Sequence, residues 1–173
     1  RAKQQKDQLR QQVALFLESD LYSTTVQGAP ELRTEMRVVF PLCPACDGAM
    51  QTVAIEGVLD AFVDDDQGQT VILDYKTGSL GDDGNRRMYE FQVGLYCAAV
   101  EKWRGKYPVK AWLVYLQPDK TCPLELNVPE IAAKAVERAA TMVADIWKGA
   151  FVPPESPPCP SCPLRRWCPD CQL

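Results

Sequence analysis

The sequence of 173 residues predicts one α/β domain, bordering on α+β, with a mixed central β-sheet flanked by helices. Three observations carry that expectation. Apolar residues recur at helical spacing in separate stretches, short β-branched runs lie between them, and the chain order is helix, three strands, helix, strand, helix. Strands joined by short turns pair antiparallel, whereas a strand–helix–strand passage brings in a parallel neighbour, so both pairings share one sheet. The expected division is an N-terminal helix and loop over 1–34, a core over 35–150, and a proline-rich linker with a cysteine cluster over 151–173.

Residues 3–19 place Leu9, Val13, Phe16 and Leu17 at helical spacing among Gln, Lys and Arg, an amphipathic helix. A loop with Gly28 and Pro30 follows, then a strand over 35–40 that stops at Pro41. The segment Cys43–Met50, with Cys-Pro-Ala-Cys and Asp-Gly, reads as a knuckle between strands. Residues 52–64 form a long strand in which Gly57 permits a bend. Asp65-Asp-Gln-Gly-Gln supplies a turn, and 70–77 is the next strand, its β-branched run suited to a buried position. After a Gly/Asp-rich loop, residues 86–103 turn helical, with Met88, Gln92, Leu95, Ala99 and Trp103 on one stripe. Residues 109–116 read as a strand, 124–128 as a short one, and 130–147 as a helix with Ile131, Ala135, Ala139, Met142, Val143 and Ile146 inward. Phe151 to Pro158 stays extended.

A net charge of −4 argues mildly against a nucleic-acid partner. Its distribution is less discouraging: from Lys76 to Lys110 there are seven basic residues against four acidic ones. A basic face beside an acidic centre suits metal-dependent work on phosphates, while a plain solvated surface accounts for the charges equally well. No stretch approaches the roughly 20 apolar residues of a membrane helix, and no signal-peptide pattern opens the chain, so a soluble protein with no membrane partner is expected. The start at Arg1, inside a helical pattern, reads as a fragment or a processed product.

Eight cysteines and no histidine are more informative. Six form the close pairs Cys43/Cys46, Cys159/Cys162 and Cys168/Cys171, each with a proline inside, the form of metal-binding turns rather than of a disulfide scaffold. The lack of histidine excludes His-containing zinc sites and His-based nucleophilic triads. A cytoplasmic, reducing compartment fits best.

The densest signal is Gly57-Val-Leu-Asp60, then Asp74-Tyr-Lys76-Thr-Gly78, then Gln92-Val-Gly-Leu-Tyr96. This series resembles the RecB-type branch of the PD-(D/E)xK nuclease superfamily, whose Gly-x-x-Asp strand, Asp-Tyr-Lys-Thr-Gly strand and Gln-x-x-x-Tyr helix occur in that order. The resemblance runs from about Glu35 to the C-terminus. It implies a restriction-endonuclease-like core and a metal-dependent DNA exonuclease acting at single-stranded ends, in repair, recombination or CRISPR adaptation, with a helicase or recombination complex as partner. It also implies that Gln92 and Tyr96 contact DNA.

The residues carry that chemistry on their own terms. Asp60 and Asp74 lie on successive strands and can converge at one end of the sheet, where two hard carboxylates bind Mg²⁺ or Mn²⁺. Lys76, two residues beyond Asp74, projects from the same strand face and can orient the attacking water. The Tyr75 carbonyl between them is a further metal ligand candidate. The reaction implied is in-line phosphodiester hydrolysis by metal-activated water. The plainer alternative is a strand-end salt bridge between Asp74 and Lys76; a buried strand that carries charge on one face calls for a reason beyond that. Many relatives of this type have an upstream histidine at the metal; Glu18 and Glu35 are the substitutes this chain offers. A different class of reading is an inactive nuclease-like module that binds DNA or scaffolds an assembly.

Cys159, Cys162 and Cys168 resemble the C-terminal part of the iron–sulfur subgroup, which includes AddB-type helicase–nucleases and CRISPR-adaptation exonucleases. There a [4Fe–4S] cluster staples the two ends of the domain. The fourth ligand stays open among Cys43, Cys46 and Cys171, and a self-contained set with Cys171 equally suits zinc. Cys97 and Cys122 read as packing residues.

Overall fold

A computed structural model describes residues 2–43, 52–77 and 83–150, together with Arg166 and Cys168. Among them run α1 (Ala2–Leu17), β1 (Glu31–Leu42), β2 (Val53–Asp64), β3 (Thr70–Lys76), α2 (Asp83–Arg104), β4 (Lys110–Leu116), β5 (Thr121–Glu125) and α3 (Val128–Trp147). The five strands form one sheet in chain order, β1-β2-β3-β4-β5. β3 and β4 are parallel and every other pair is antiparallel. α2 is the connection that lets β4 return parallel to β3, as a crossover of this kind requires.

The sheet is covered on both faces. On one, α2 and α3 pack on Leu59, Phe62, Ile72, Leu113 and Tyr115, with Val93, Cys97, Val100 and Ala132 from the helices. On the other, Phe16 of α1 with Leu21 and Val26 covers Ala61, Val63, Leu73 and Val114. Burial on both faces explains the near-continuous apolar runs of β3 and β4. α2 meets α3 closely because Gly94 has no side chain. A Cβ there would lie 2.4 Å from the Ile131 carbonyl oxygen and 2.7 Å from the Ala135 methyl.

Three helical stripes differ from the sequence expectation. On α3, Ala135, Ala139 and Val143 face inward as expected, but Met142 and Ile146 are 47% and 53% exposed. On α1, Leu9, Val13 and Leu17 are 42–49% exposed, while Gln12 and Phe16 are buried. The Gln12 amide donates to the Leu116 carbonyl at 2.6 Å, and the Phe16 ring stacks edge-on against Tyr22 and Tyr75. An open carbonyl and two aromatic neighbours thus set the rotation of α1, which apolar spacing alone turned by about one residue. On α2 the expected Ala99 is buried and Leu95 is packed, and Val93, Tyr96, Cys97, Ala98 and Val100 are buried too, whereas Met88 and Trp103 are over half exposed. Trp103 instead lies under the Arg104 guanidinium, 4.3 Å from its ring. Between α1 and β1, residues Tyr22–Val26 make one wide helical turn, closed by Gln27 N–H to the Tyr22 carbonyl.

The feature that shapes the site is an interruption in β1 and β2. Their ladder pairs Thr34 with Ala61 and Met36 with Leu59, but Glu35 and Asp60 between them are not a pair. Glu35 stands at φ 51°, the left-handed region that L-residues with a Cβ avoid. Side-chain alternation breaks there: Leu59 and Phe62 share the α2 face while Ala61 and Val63 share the α1 face, so residues 59 and 61 point to opposite sides. Pairing of β2 with β3 also starts only at Ala61↔Leu73 and runs away from Asp60. The sheet therefore opens between β2 and β3 at the level of Asp60 and Asp74.

Candidate active site

The Asp60 carboxylate fills the place of the missing strand partner. Its Oδ2 accepts the Tyr75 backbone N–H at 2.8 Å. In an extended strand the N–H and C=O of one residue face the same edge, so the Tyr75 carbonyl is directed toward Asp60 as well. The Tyr75 ring goes to the opposite face, against Phe16. Burial, with Asp60 and Tyr22 nearby, pushes its phenol up to about 12, and it stays neutral.

Asp74 is fully buried, and neither carboxylate oxygen has an aligned hydrogen-bond partner among the described residues. Its close neighbour is the Lys76 ammonium, 2.6 Å from Oδ2 on the same strand face, as the spacing requires. Burial raises the Asp74 pKa from 3.8 to about 6 against the pull of Lys76, and the negative charge of Asp60 adds to the rise. A carboxylate held this dry is costly unless something positive completes it. One ammonium does so in part.

Lys76 is held from α2. Its Nζ donates to Gln92 Oε1 at 3.2 Å and lies over the Tyr89 ring, 4.3 Å from the centroid. Gln92 Nε2 in turn donates to the Tyr96 hydroxyl at 2.8 Å. Four residues apart, Gln92 and Tyr96 share a helix face, and that face is turned onto the end of β3. Tyr96 is 7% exposed, and its ring sits against Gly57. A Cβ on Gly57 would come within 2.5 Å of Tyr96 Cε1. Gly57 is thus explained by this close approach rather than by a bend.

Asp60, Asp74, Lys76, Gln92 and Tyr96 are accordingly gathered at one end of the sheet. Tyr89 was not singled out by sequence; its signal was its position three residues before Gln92 on the same helix face. Glu35 stands across from Asp60 at the interruption, with an exposed side chain, and Glu18 is exposed just after α1. Among the described residues no cluster of three or more His, Cys, Asp or Glu forms a ready-made metal cage. The pair Asp60 and Asp74 fits a hard divalent cation by its chemistry: oxygen ligands, two negative charges, and in Asp74 two buried oxygens without an aligned donor.

Of the cysteines, Cys43 and Cys168 are exposed free thiols, and Cys43 Sγ is 3.3 Å from the Thr52 hydroxyl. Cys46, Cys159, Cys162 and Cys171 lie outside the described residues. Cys97 is buried in the α2 core, where burial pushes its thiol up to about 12, and it packs as an inert apolar residue. No described helix is long and apolar enough to cross a membrane.

A stretch of 70 residues, 40% of the chain, is 31% identical to an ATP-dependent helicase/nuclease subunit from Clostridium kluyveri, found in two strains. The matched stretch spans only 6% of that much longer protein. The crystal structure of SSO0001 superposes over 95% of this chain and 71% of its own, with a TM-score of 0.54 at 20% identity, a likeness of fold. The family profile of the PD-(D/E)XK nuclease superfamily matches residues 1–169, and the chain belongs to that superfamily.

Proposed function

We propose that this domain is a Mg²⁺- or Mn²⁺-dependent deoxyribonuclease that hydrolyses phosphodiester bonds at single-stranded DNA ends, as part of a helicase-linked or recombination/adaptation assembly. The observation that carries the reading is Asp74: a fully buried carboxylate with no aligned hydrogen-bond partner among the described residues, placed beside Asp60 and Lys76 where the sheet opens. The likeness to a helicase/nuclease protein supports the proposed setting.

In this reading Asp60, Asp74 and the Tyr75 carbonyl hold the cation. The cation, when bound, lowers the pKa of a water and offsets charge on the phosphate. Lys76 is the charged donor nearest the reacting centre and orients water or phosphate. Its position is fixed from α2 by Gln92 and Tyr89. Gln92 and Tyr96, expected from the resemblance to contact DNA, are bonded to Lys76 and to each other, so their first role is to position that ammonium. The terminal cysteines are read as an iron–sulfur staple with Cys159, Cys162 and Cys168 as ligands; no catalytic step passes through it.

The test is incubation with end-labelled single-stranded DNA and Mn²⁺, beside a closed circular single strand. Degradation of the linear strand alone, lost in Asp74→Ala, is the expected result. An Asp74→Ala protein as active as the parent removes the catalytic assignment, and cutting of the circle removes the exonuclease one. Brown anaerobic protein with stoichiometric iron supports the cluster; colourless protein with stoichiometric zinc replaces it.

A further inference from the structure

On the far side of α2 from Lys76 is a cleft of about 600 Å³ between α2 and α3, and its charges are not balanced. Four cations line it, Arg86, Arg87, Lys134 and Arg138, against three carboxylates. Two of these groups spend their charge on near neighbours: Arg86 pairs with Glu90 at 2.9 Å and Lys134 with Glu130 at 2.6 Å. Arg87 and Arg138 have no ion pair among the described residues. The Arg138 guanidinium is instead laid on the face of Phe91, 4.7 Å from its centroid. An arginine held over an aromatic ring leaves its N–H donors available to another partner, an arrangement suited to phosphate.

The cleft and the catalytic centre share a wall. Tyr89 and Gln92 face the site, while Arg86, Arg87, Glu90 and Phe91 on the same two turns face the cleft. Arg87 and Gln92 are five residues apart, about 7.5 Å along the axis at the α-helical rise.

We propose that the α2–α3 cleft is a second nucleic-acid subsite, in which Arg87 and Arg138 hold backbone phosphates of the DNA strand whose end lies at Asp74 and Lys76. This rests on the nuclease reading for its substrate. The ligand is single-stranded DNA, gripped through its phosphates and not through its base sequence. Phe91 and Ile131 give the sugars and bases an apolar floor. Glu125, the one lining carboxylate outside an ion pair among the described residues, lies at the β5 end of the cleft.

The test separates binding from cutting. In an Asp74→Asn background, without divalent metal, anisotropy of a labelled single-stranded oligonucleotide is measured over a range of salt. Arg87→Gln/Arg138→Gln lowers the slope of log K against log salt by about 1.4, at about 0.7 per lost phosphate contact. Lys3→Gln/Lys6→Gln, an equal loss of charge on exposed α1, leaves the slope as it was. Arg87→Lys/Arg138→Lys restores most of it, which a misfolded protein would not do. A parental slope in the double glutamine variant overturns the proposal, as does an equal fall in the α1 pair. Protein that shows the cleft-dependent slope but never cuts with Asp74 intact leaves the subsite standing and ends the nuclease reading. Protein that cuts but ignores the cleft does the reverse.

Discussion

Asp74→Asn is expected to inactivate the protein and, in the absence of metal, to make it more stable. The Asp74 carboxyl is shifted from 3.8 to about 6, chiefly by burial. Its ionised form is therefore disfavoured in the folded state, by about 3 kcal/mol at 1.36 kcal/mol per pH unit. Between about pH 4 and pH 6 the folded state binds a proton that the unfolded state has released, so stability falls as pH rises through that window. Above it the full cost is present; below it none is. Asparagine mimics the protonated acid in shape and charge and carries no such pH dependence. In EDTA at pH 8 the variant should gain up to about 3 kcal/mol, which at roughly 2–4 °C per kcal/mol is a rise of roughly 6–12 °C in Tm. Near pH 4 the two proteins should melt together. Adding Mn²⁺ at pH 8 should raise the parent and leave the variant unmoved, because only the parent has the ligand. Thermal melts followed by circular dichroism at both pH values decide the matter. A variant no more stable than the parent at pH 8, or one equally stabilised at pH 4, refutes the account of Asp74 as a desolvated carboxylate that Lys76 only partly compensates.

Other expectations follow from single contacts. Tyr96→Phe keeps the ring on Gly57 but removes the hydroxyl that holds Gln92. It should lower kcat about fivefold, the worth of one hydrogen bond of about 1 kcal/mol, with KM unchanged. A raised KM at constant kcat would instead make Tyr96 a substrate contact. Gly57→Ala forces the same ring aside and should lower kcat at least as much. Gly94→Ala drives a methyl into the α3 backbone and should cost about 1–3 kcal/mol or more in urea melts; a neutral result would mean the two helices can separate freely. Glu35→Gly relieves a left-handed φ and should stabilise by up to about 1 kcal/mol. If Glu35 also serves the metal, the Mn²⁺ concentration needed for half-maximal activity will rise in the same variant.

Much of this was legible in the residues themselves. A strand is period two, so Asp74 and Lys76 had to share a face; a helix returns every three to four residues, so Gln92 and Tyr96 had to share one. Chain order and β-branched runs were enough for a mixed sheet with helices on both sides. Local periodicity determined these features because each depends only on backbone geometry over a few residues.

Contacts between elements distant in sequence decided the remainder. Spacing did not show that the open Leu116 carbonyl would draw Gln12 inward and leave Leu9, Val13 and Leu17 outside. It did not show the break at Glu35 and Asp60, where one residue at φ 51° reverses the faces of two strands and frees Asp60 to bind the Tyr75 N–H. Nor did it reveal that Gly57 is small because Tyr96 presses on it. The sequence by itself determined the candidate residues and that Asp74 with Lys76, and Gln92 with Tyr96, share a face of one element. Only the tertiary structure decided which faces meet, because that rests on open backbone groups, ring packing and a few tenths of an ångström between elements far apart in the chain.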